Sequence, residues 1–331
     1  MKYATLSNGV QMPMLGYGVY QVTPQECERC VLDALAVGYR SLDTAQSYFN
    51  EEQVGSAIRK SGVPRQEIFL TTKVWVEHYG YEAARASVLA SMDKLQTDYL
   101  DLVLLHQPFG DYYGAYRALE DLYDAGKLRA IGVSNFYPDR LVDLASFARI
   151  APMVNQVEIH PYHQQTEALS WMEKYHAQPE AWAPFGEGRG GLFQDPTLAA
   201  IGRKYGKTVA QVVLRWHLQR GVVVIPKSTH KERMQENLDV FDFALTDEEM
   251  AVIAGLDKKQ SAFFSHQDPN MVEWFVKMVD ARRQSHGSAE TQNWTTGGFS
   301  LCVKILVQNP GPTRSRCSFW LPTARTAHPT P

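Results

Sequence analysis

The sequence predicts a (β/α)8 TIM barrel with an N-terminal β-hairpin before it and a tail of different composition after it. Three observations carry this. Short apolar runs alternate with amphipathic stretches, eight such runs occur, and polar residues gather where the runs end. Strand followed by helix, repeated, builds a parallel sheet. Eight units suit a closed barrel better than an open sheet, and the strand ends of a barrel converge on one mouth.

The elements follow in order. The leading segment KYATLSNGVQMPM holds Asn8-Gly9, a two-residue turn signal, and reads as a hairpin lid. Strands are expected at 15–19, 41–43, 68–74, 100–106, 129–134, 153–158, 181–184 and 222–226. Helices are expected at 24–36, 51–60, 81–95, 114–125, 139–147, 167–176 and 209–218. In the stretch 81–95, Ala84, Val88, Met92 and Leu95 fall on one face at the helical period, as a core-facing helix requires.

Composition bounds the function classes. Of 331 residues, 44% are apolar and 21% charged, which excludes disorder as the main state. The formal net charge of -3 leaves no basic excess for a phosphate backbone or an anionic membrane, so no nucleic-acid or membrane partner is expected. The N-terminus lacks the apolar core of a secretory signal and no run of about 18 apolar residues occurs; a cytoplasmic monomer is the expectation. Four cysteines are too few for a disulfide framework. Cys27 and Cys30 read as helix-surface thiols, with a zinc or redox pair as the alternative. Residues 281–331 carry a net charge of +5 and are rich in Ser, Thr, Gly and Pro. The expected division is therefore a barrel at 1–280 and a poorly ordered basic tail at 281–331, in which only 301–307 could form a strand. Removal of 281–331 is expected to leave activity intact.

The chemistry sits at the strand ends. Asp43, Lys73, His106, Ser134, Asn135, Gln156 and Glu158 all lie at the carboxyl ends of expected strands or just past them, so five strands contribute to one site. His160 and His163 follow a strand three residues apart without a third ligand at a recognisable spacing, so no metal site is expected. No G-x-G-x-x-G follows a strand, which argues against a Rossmann cofactor site.

Three segments, GYRSLDTAQSYFNEEQVG (38–55), LRAIGVSNF (128–136) and IPKSTHKERMQENL (225–238), resemble those that mark aldo-keto reductases. The resemblance spans roughly residues 3 to 278. In HQPFGDYYGA, NQVEIHPYHQ and FFSHQDPNMVEWF the chain is similar to the bacterial branch with 2,5-diketo-gluconate reductases and glyoxal or methylglyoxal reductases.

That resemblance implies a catalytic set of Asp43, Tyr48, Lys73 and His106. Carbonyl reduction needs a hydride at carbon and a proton at oxygen, and free tyrosine is a reluctant acid at pH 7. Lys73 beside the phenol is expected to lower its pKa, with Asp43 holding the lysine and His106 orienting the substrate oxygen or sharing the proton. It implies NADPH, with Ser134, Asn135 and Gln156 on the nicotinamide amide and Trp182 stacked on the ring. Pro184 and Gly186, in the loop PFGEGRGG, would approach the pyrophosphate. Lys227, Ser228, Thr229 and Arg233 would take the 2′-phosphate, with Glu236 and Asn237 near adenine. His230 stands where many relatives carry arginine, so NADH use beside NADPH is expected. Tyr20, Phe49, Trp75, Gln107 and Phe109 would wall the pocket, and Phe264 and His266 of the variable C-terminal loop would reach the mouth. Gln107 replaces a tryptophan of many relatives and suggests a wider, more polar pocket. The expected function is NADPH-dependent reduction of small aldehydes, ketones or dicarbonyls. A cofactor-sensing regulatory barrel and a Schiff-base lyase using Lys73 are the alternatives.

Overall fold

Eight parallel strands follow one another in chain order through a single sheet, and the two outermost meet. The computed structural model describes residues 2–287. A hairpin of β1 (Tyr3–Thr5) and β2 (Gln11–Pro13) precedes the barrel, turning where Gly9 takes φ +89°. Asn8 donates to the carbonyl of Arg129, just before β7 (Ile131–Ser134), so the hairpin lies at the end of the barrel remote from the strands' carboxyl ends.

The barrel then runs β3 (Tyr17–Gly18), α1 (Pro24–Val37), β4 (Ser41–Asp43), α2 (Glu51–Ser61), β5 (Phe69–Val74), α3 (Tyr81–Leu95), β6 (Leu102–Leu105) and α4 (Tyr112–Asp124). It continues with β7 (Ile131–Ser134), α5 (Pro138–Phe147), β8 (Val154–Glu158), α6 (Thr166–Lys174), β9 (Gln178–Trp182), α7 (Pro196–Tyr205), α8 (Val209–Gln219) and β10 (Val223–Val224). Leu15 bridges Val224 in parallel, and Gly16 N–H donates to the Val224 carbonyl at 2.8 Å, which closes the sheet. Three further helices follow: α9 (Lys231–Leu238), α10 (Asp247–Ala254) and α11 (Pro269–Gly287).

The local chemistry explains the boundaries. Asp195 caps α7 by accepting from the N–H groups of Thr197 and Leu198, with Pro196 at the first helical position, where its missing N–H costs nothing. Thr208 with Gln211 and Thr246 with Glu249 form capping boxes that start α8 and α10. Strands β5, β6 and β7 are buried throughout, as both faces of a barrel sheet demand. Gly132 in β7 is required by space: a Cβ there would come within 2.4 Å of the Val154 carbonyl oxygen.

Several expectations need correction. The strand expected at 181–184 is β9 at Gln178–Trp182, because the charge of Glu180 hid its first half. Helices α7, α9, α10 and α11 were not among the expected helices. Cys27 and Cys30 are fully buried in the core under α1, not on a helix surface. Helix α11 spans the expected boundary near residue 280 and runs to Gly287. The expected poor order of the tail and its strand at 301–307 lie outside the described residues.

Candidate active site

The parallel register delivers the expected catalytic side chains to one rim. Asp43 ends β4, Lys73 stands one residue before the end of β5, His106 directly follows β6, and Tyr48 closes a 3-10 turn (Gln46–Tyr48) after β4. Lys73, fully buried, donates to Asp43 Oδ1 at 2.5 Å, to the Thr44 carbonyl at 3.0 Å and to the Tyr48 hydroxyl oxygen at 3.3 Å. These three acceptors use all three ammonium protons. Because the phenol oxygen accepts from Lys73, its own proton is left to point elsewhere. The Tyr48 ring packs against Tyr20 at 5.1 Å and edge-on to His106 at 5.7 Å.

The expected acidification of Tyr48 is not what this arrangement produces. Burial pushes the phenol well above the ordinary tyrosine range, reinforced by the negative charge of Asp43, by Tyr20 and by Glu180. Asp43 sits on the same Lys73 ammonium, and its negative charge works against a phenolate in the resting site. Tyr48 is thus firmly protonated at neutral pH. His106 moves the opposite way: burial, then Lys73 and His266, hold it well below the usual histidine range, so it is neutral. The Ser47 hydroxyl lies 3.4 Å from His106 Nδ1, and donation there would place the ring proton on Nε2.

Beneath this set is a group that sequence reading missed. Gln156 and Glu180 are register partners across β8 and β9, and the Gln156 amide donates at 2.9 Å to both Asp43 Oδ2 and Glu180 Oε2. Burial, then the neighbouring Asp43, raises the Glu180 carboxyl far above the normal carboxylate range. The two N–H groups of Gln156 are therefore committed to carboxyl groups, which leaves only its carbonyl oxygen for the nicotinamide amide contact expected of it.

The other expected cofactor residues form a connected set. Ser134 donates to the Gln156 backbone carbonyl at 2.8 Å, Asn135 donates to Ser134 Oγ and to the His106 backbone carbonyl, and Trp182 Nε1 donates to Asn135 Oδ1 at 2.8 Å. Asn135 holds φ +64°, a left-handed conformation that points its amide at the indole. After Pro184, Gly186 takes φ +55° and lies against the His160 ring, 3.4 Å from where a Cβ would stand. Arg189 in the same loop donates to the Ala262 carbonyl at 2.8 Å and lies over Phe263, which packs on Trp182 at 5.1 Å. Sequence reading missed Arg189 and Phe263 because they meet only through the C-terminal loop. Glu158 anchors that loop: burial would raise its carboxyl, but hydrogen bonds from His160, Ser261 and the Ala262 N–H outweigh this and hold it low.

The expected phosphate residues lie in the loop after β10 (Lys227, Ser228, Thr229) and in the first turn of α9 (Arg233). Lys227, His230 and Arg233 are exposed, and among the described residues neither Lys227 nor Arg233 makes an ion pair. Ser228 Oγ accepts from the His230 N–H, and the Thr229 carbonyl accepts from Arg29. Glu236 is turned to Thr208, whose hydroxyl donates to it at 2.7 Å, and Asn237 is buried. A flat indole fixed in orientation, a glycine-rich loop with left-handed backbone and two unpaired cations fit a dinucleotide phosphate ligand.

On the substrate side, Trp75 stacks edge-on to His106 at 5.0 Å, and Phe109 packs on Phe275 at 5.3 Å and His266 at 6.1 Å. Gln107 is buried beside His106, its backbone held by the Tyr79 hydroxyl. Phe49 is about half exposed and lies under Arg282 of α11. Among the described residues, no group of three His, Cys, Asp or Glu could hold a metal ion, and no helix is long and apolar enough to cross a membrane.

Residues 9–258 match the model of the Aldo/keto reductase family. The chain belongs to that family. It is an NAD(P)H-dependent oxidoreductase. This aldo/keto reductase is 49% identical over 257 residues to the glyoxal reductase of Bacillus subtilis (strain 168), covering 77% of this chain and 92% of the relative. It is 42% identical over 256 residues to the methylglyoxal reductase DkgA of Escherichia coli (strain K12), covering 76% and 92%. An aldo-keto reductase of Bombyx mori solved in complex with NADP superposes with a TM-score of 0.76 at 34% identity, covering 79% of this chain and 94% of that one.

Proposed function

We propose that this aldo/keto reductase reduces small aldehydes, ketones or dicarbonyls with NADPH, acting in the cytoplasm as a monomer. The observation that carries the reading is the Tyr48 hydroxyl oxygen accepting from Lys73, which leaves the phenol's own proton for a substrate oxygen. Bound NADPH would supply a hydride to the carbonyl carbon. Trp182, Ser134 and Asn135 would hold the nicotinamide, and Lys227, Ser228, Thr229 and Arg233 the 2′-phosphate.

The chain's own groups account for the rest. The carbonyl oxygen is held between the Tyr48 hydroxyl and neutral His106, both hydrogen-bond donors. As negative charge develops on that oxygen, Tyr48 transfers its proton, and the phenolate left behind is stabilised by the Lys73 hydrogen bond already in place. Its high intrinsic pKa makes Tyr48 a weak acid at rest, and the transfer becomes favourable only when the substrate oxygen turns alkoxide-like and more basic than the phenol. Tyr20, Trp75 and Phe109 exclude water from the reacting carbon. His230 in place of arginine leaves NADH use open to the same site. The Schiff-base alternative meets an obstacle, since all three Lys73 protons are engaged and the ammonium is buried on Asp43. A panel of aldehydes, ketones and dicarbonyls, scored by loss of NADPH absorbance, tests the reading; consumption with none of them would overturn it.

A further inference from the structure

The wall beside His106 is built of rings. Trp75 packs on Phe275 at 6.0 Å, Phe275 on Phe109 and Phe264, and His266 on Phe264 at 4.7 Å. Within this apolar cluster the described residues leave three polar atoms without a hydrogen-bond partner: Trp75 Nε1, Gln107 Oε1 and His266 Nε2. All three side chains are more than nine-tenths buried, with 6%, 5% and 6% exposure. Buried polar atoms without partners are costly and uncommon, and in a ligand pocket they mark where a ligand's polar atoms are received.

His266 is the best defined of the three. Its ring is fixed between Phe109, Phe264 and Tyr137, the last in an edge contact at 5.7 Å. The Tyr137 hydroxyl lies 3.5 Å from His266 Nδ1 and is assigned as the donor to it. That assignment leaves the ring's single proton on Nε2, the atom without a partner. Burial holds the imidazole down at about 4, so the donor is uncharged at neutral pH and suits a carbonyl or hydroxyl oxygen. His266 lies near enough to His106 to contribute to holding that ring low. The loop that carries it is anchored by Glu158 through Ser261 and Ala262.

We propose that His266 is a specificity-determining residue, whose Nε2–H receives a second oxygen one or two carbons from the reacting carbonyl, selecting vicinal dicarbonyls and hydroxy-carbonyls over simple aldehydes. The inference rests on the carbonyl-reductase reading and deepens it. Gln107 Oε1, an acceptor, and Trp75 Nε1, a donor, are the cluster's other two buried atoms without a partner among the described residues, and under the same proposal they would receive a substrate hydroxyl and a second carbonyl respectively.

The test compares methylglyoxal with propanal, which share three carbons and differ by the second carbonyl. His266→Phe keeps an aromatic ring and removes the donor. The ratio of kcat/KM for methylglyoxal over propanal is expected to fall about ten-fold, the scale of one hydrogen bond to a buried group. Tyr137→Phe keeps His266 but frees its tautomer, so the ratio should fall by a smaller factor in the same direction; this variant decides the matter if His266→Phe does not fold. An unchanged ratio in a folded variant, or equal losses on both compounds, overturns the inference and leaves the reductase reading standing. A parent enzyme that reduces neither compound with NADPH or NADH overturns both.

Discussion

Gln156 Nε2 lies 2.9 Å from Glu180 Oε2 across neighbouring strands, tying into the floor of the site a carboxyl group that makes no ion pair among the described residues. Burial and the adjacent Asp43 keep a proton on Glu180 at pH values where the unfolded chain, with an ordinary glutamate near 4.5, has lost it. Folding stability is therefore drained as pH rises above about 4.5. Glu180→Gln mimics the protonated carboxyl and should be more stable than the parent at pH 8, with the advantage shrinking toward pH 5. Urea midpoints at both values check this, and a deficit that grows with pH would refute it.

Tyr48→Phe removes the proton donor and keeps the ring that packs on Tyr20 and His106. Reduction should fall by about a hundred-fold or more while NADPH binding, read by fluorescence titration, stays within about two-fold. Near-parental turnover would assign the proton to another group.

Arg233 is exposed and unpaired among the described residues, as a phosphate-binding cation should be before its ligand arrives. Arg233→Ala is expected to raise the KM for NADPH about ten-fold and to leave that for NADH nearly as it was. Equal changes for both cofactors would place the 2′-phosphate elsewhere.

Two buried histidines set an acid limit on stability. Burial drives His266 down to about 4 and His217 to about 3, the latter against opposing hydrogen bonds to the carbonyls of Val213 and Ile159. Their folded pKa values lie below that of unfolded histidine, near 6.5, so their contribution is intact above 6.5. It is lost as pH falls from 6.5 toward 4 and 3, at about 1.4 kcal/mol per pH unit for each group. Between pH 6.5 and 5 the parent's denaturant midpoint should fall relative to that of His266→Phe, which lacks one of the two groups; equal slopes for parent and variant would count against the assignment.

The expectation that residues 281–331 are dispensable is sharpened by α11. Arg282 lies 5.4 Å from the centroids of both Phe49 and Trp75 and 3.9 Å from Glu77, so a chain stopped after Asp280 loses a cation that braces the pocket wall. We expect a chain ending at Gly287 to keep parental kcat/KM and one ending at Asp280 to lose several-fold. Equal activity for the two would show that Arg282 does not matter.

The barrel and most of the site were legible because strand ends are read in one dimension. Asp43, His106 and Ser134 each sit at or just past the last residue of a strand and Lys73 one residue before it, and parallel strands must bring such positions together. Glu180 was not legible, since a charged residue interrupts an apolar pattern and its partner Gln156 becomes visible only when the register of β8 on β9 is known. Tyr48 lies within reach of Lys73, but its phenol is pushed up rather than down. The sequence shows which charges are near in the chain, not how deeply the phenol is buried. The helices that went unforeseen had readable starts: Asp195-Pro196 before α7 and Thr246 with Glu249 at α10.

The pairing of Leu15 with Val224 joins segments more than 200 residues apart, and it is the last seam of the sheet. During translation, every nascent chain shorter than that carries two raw sheet borders, one at β3 and one at the newest strand. Until the ribosome has released Val224, protection of those borders from neighbouring chains must come from helices already docked on the sheet or from a chaperone.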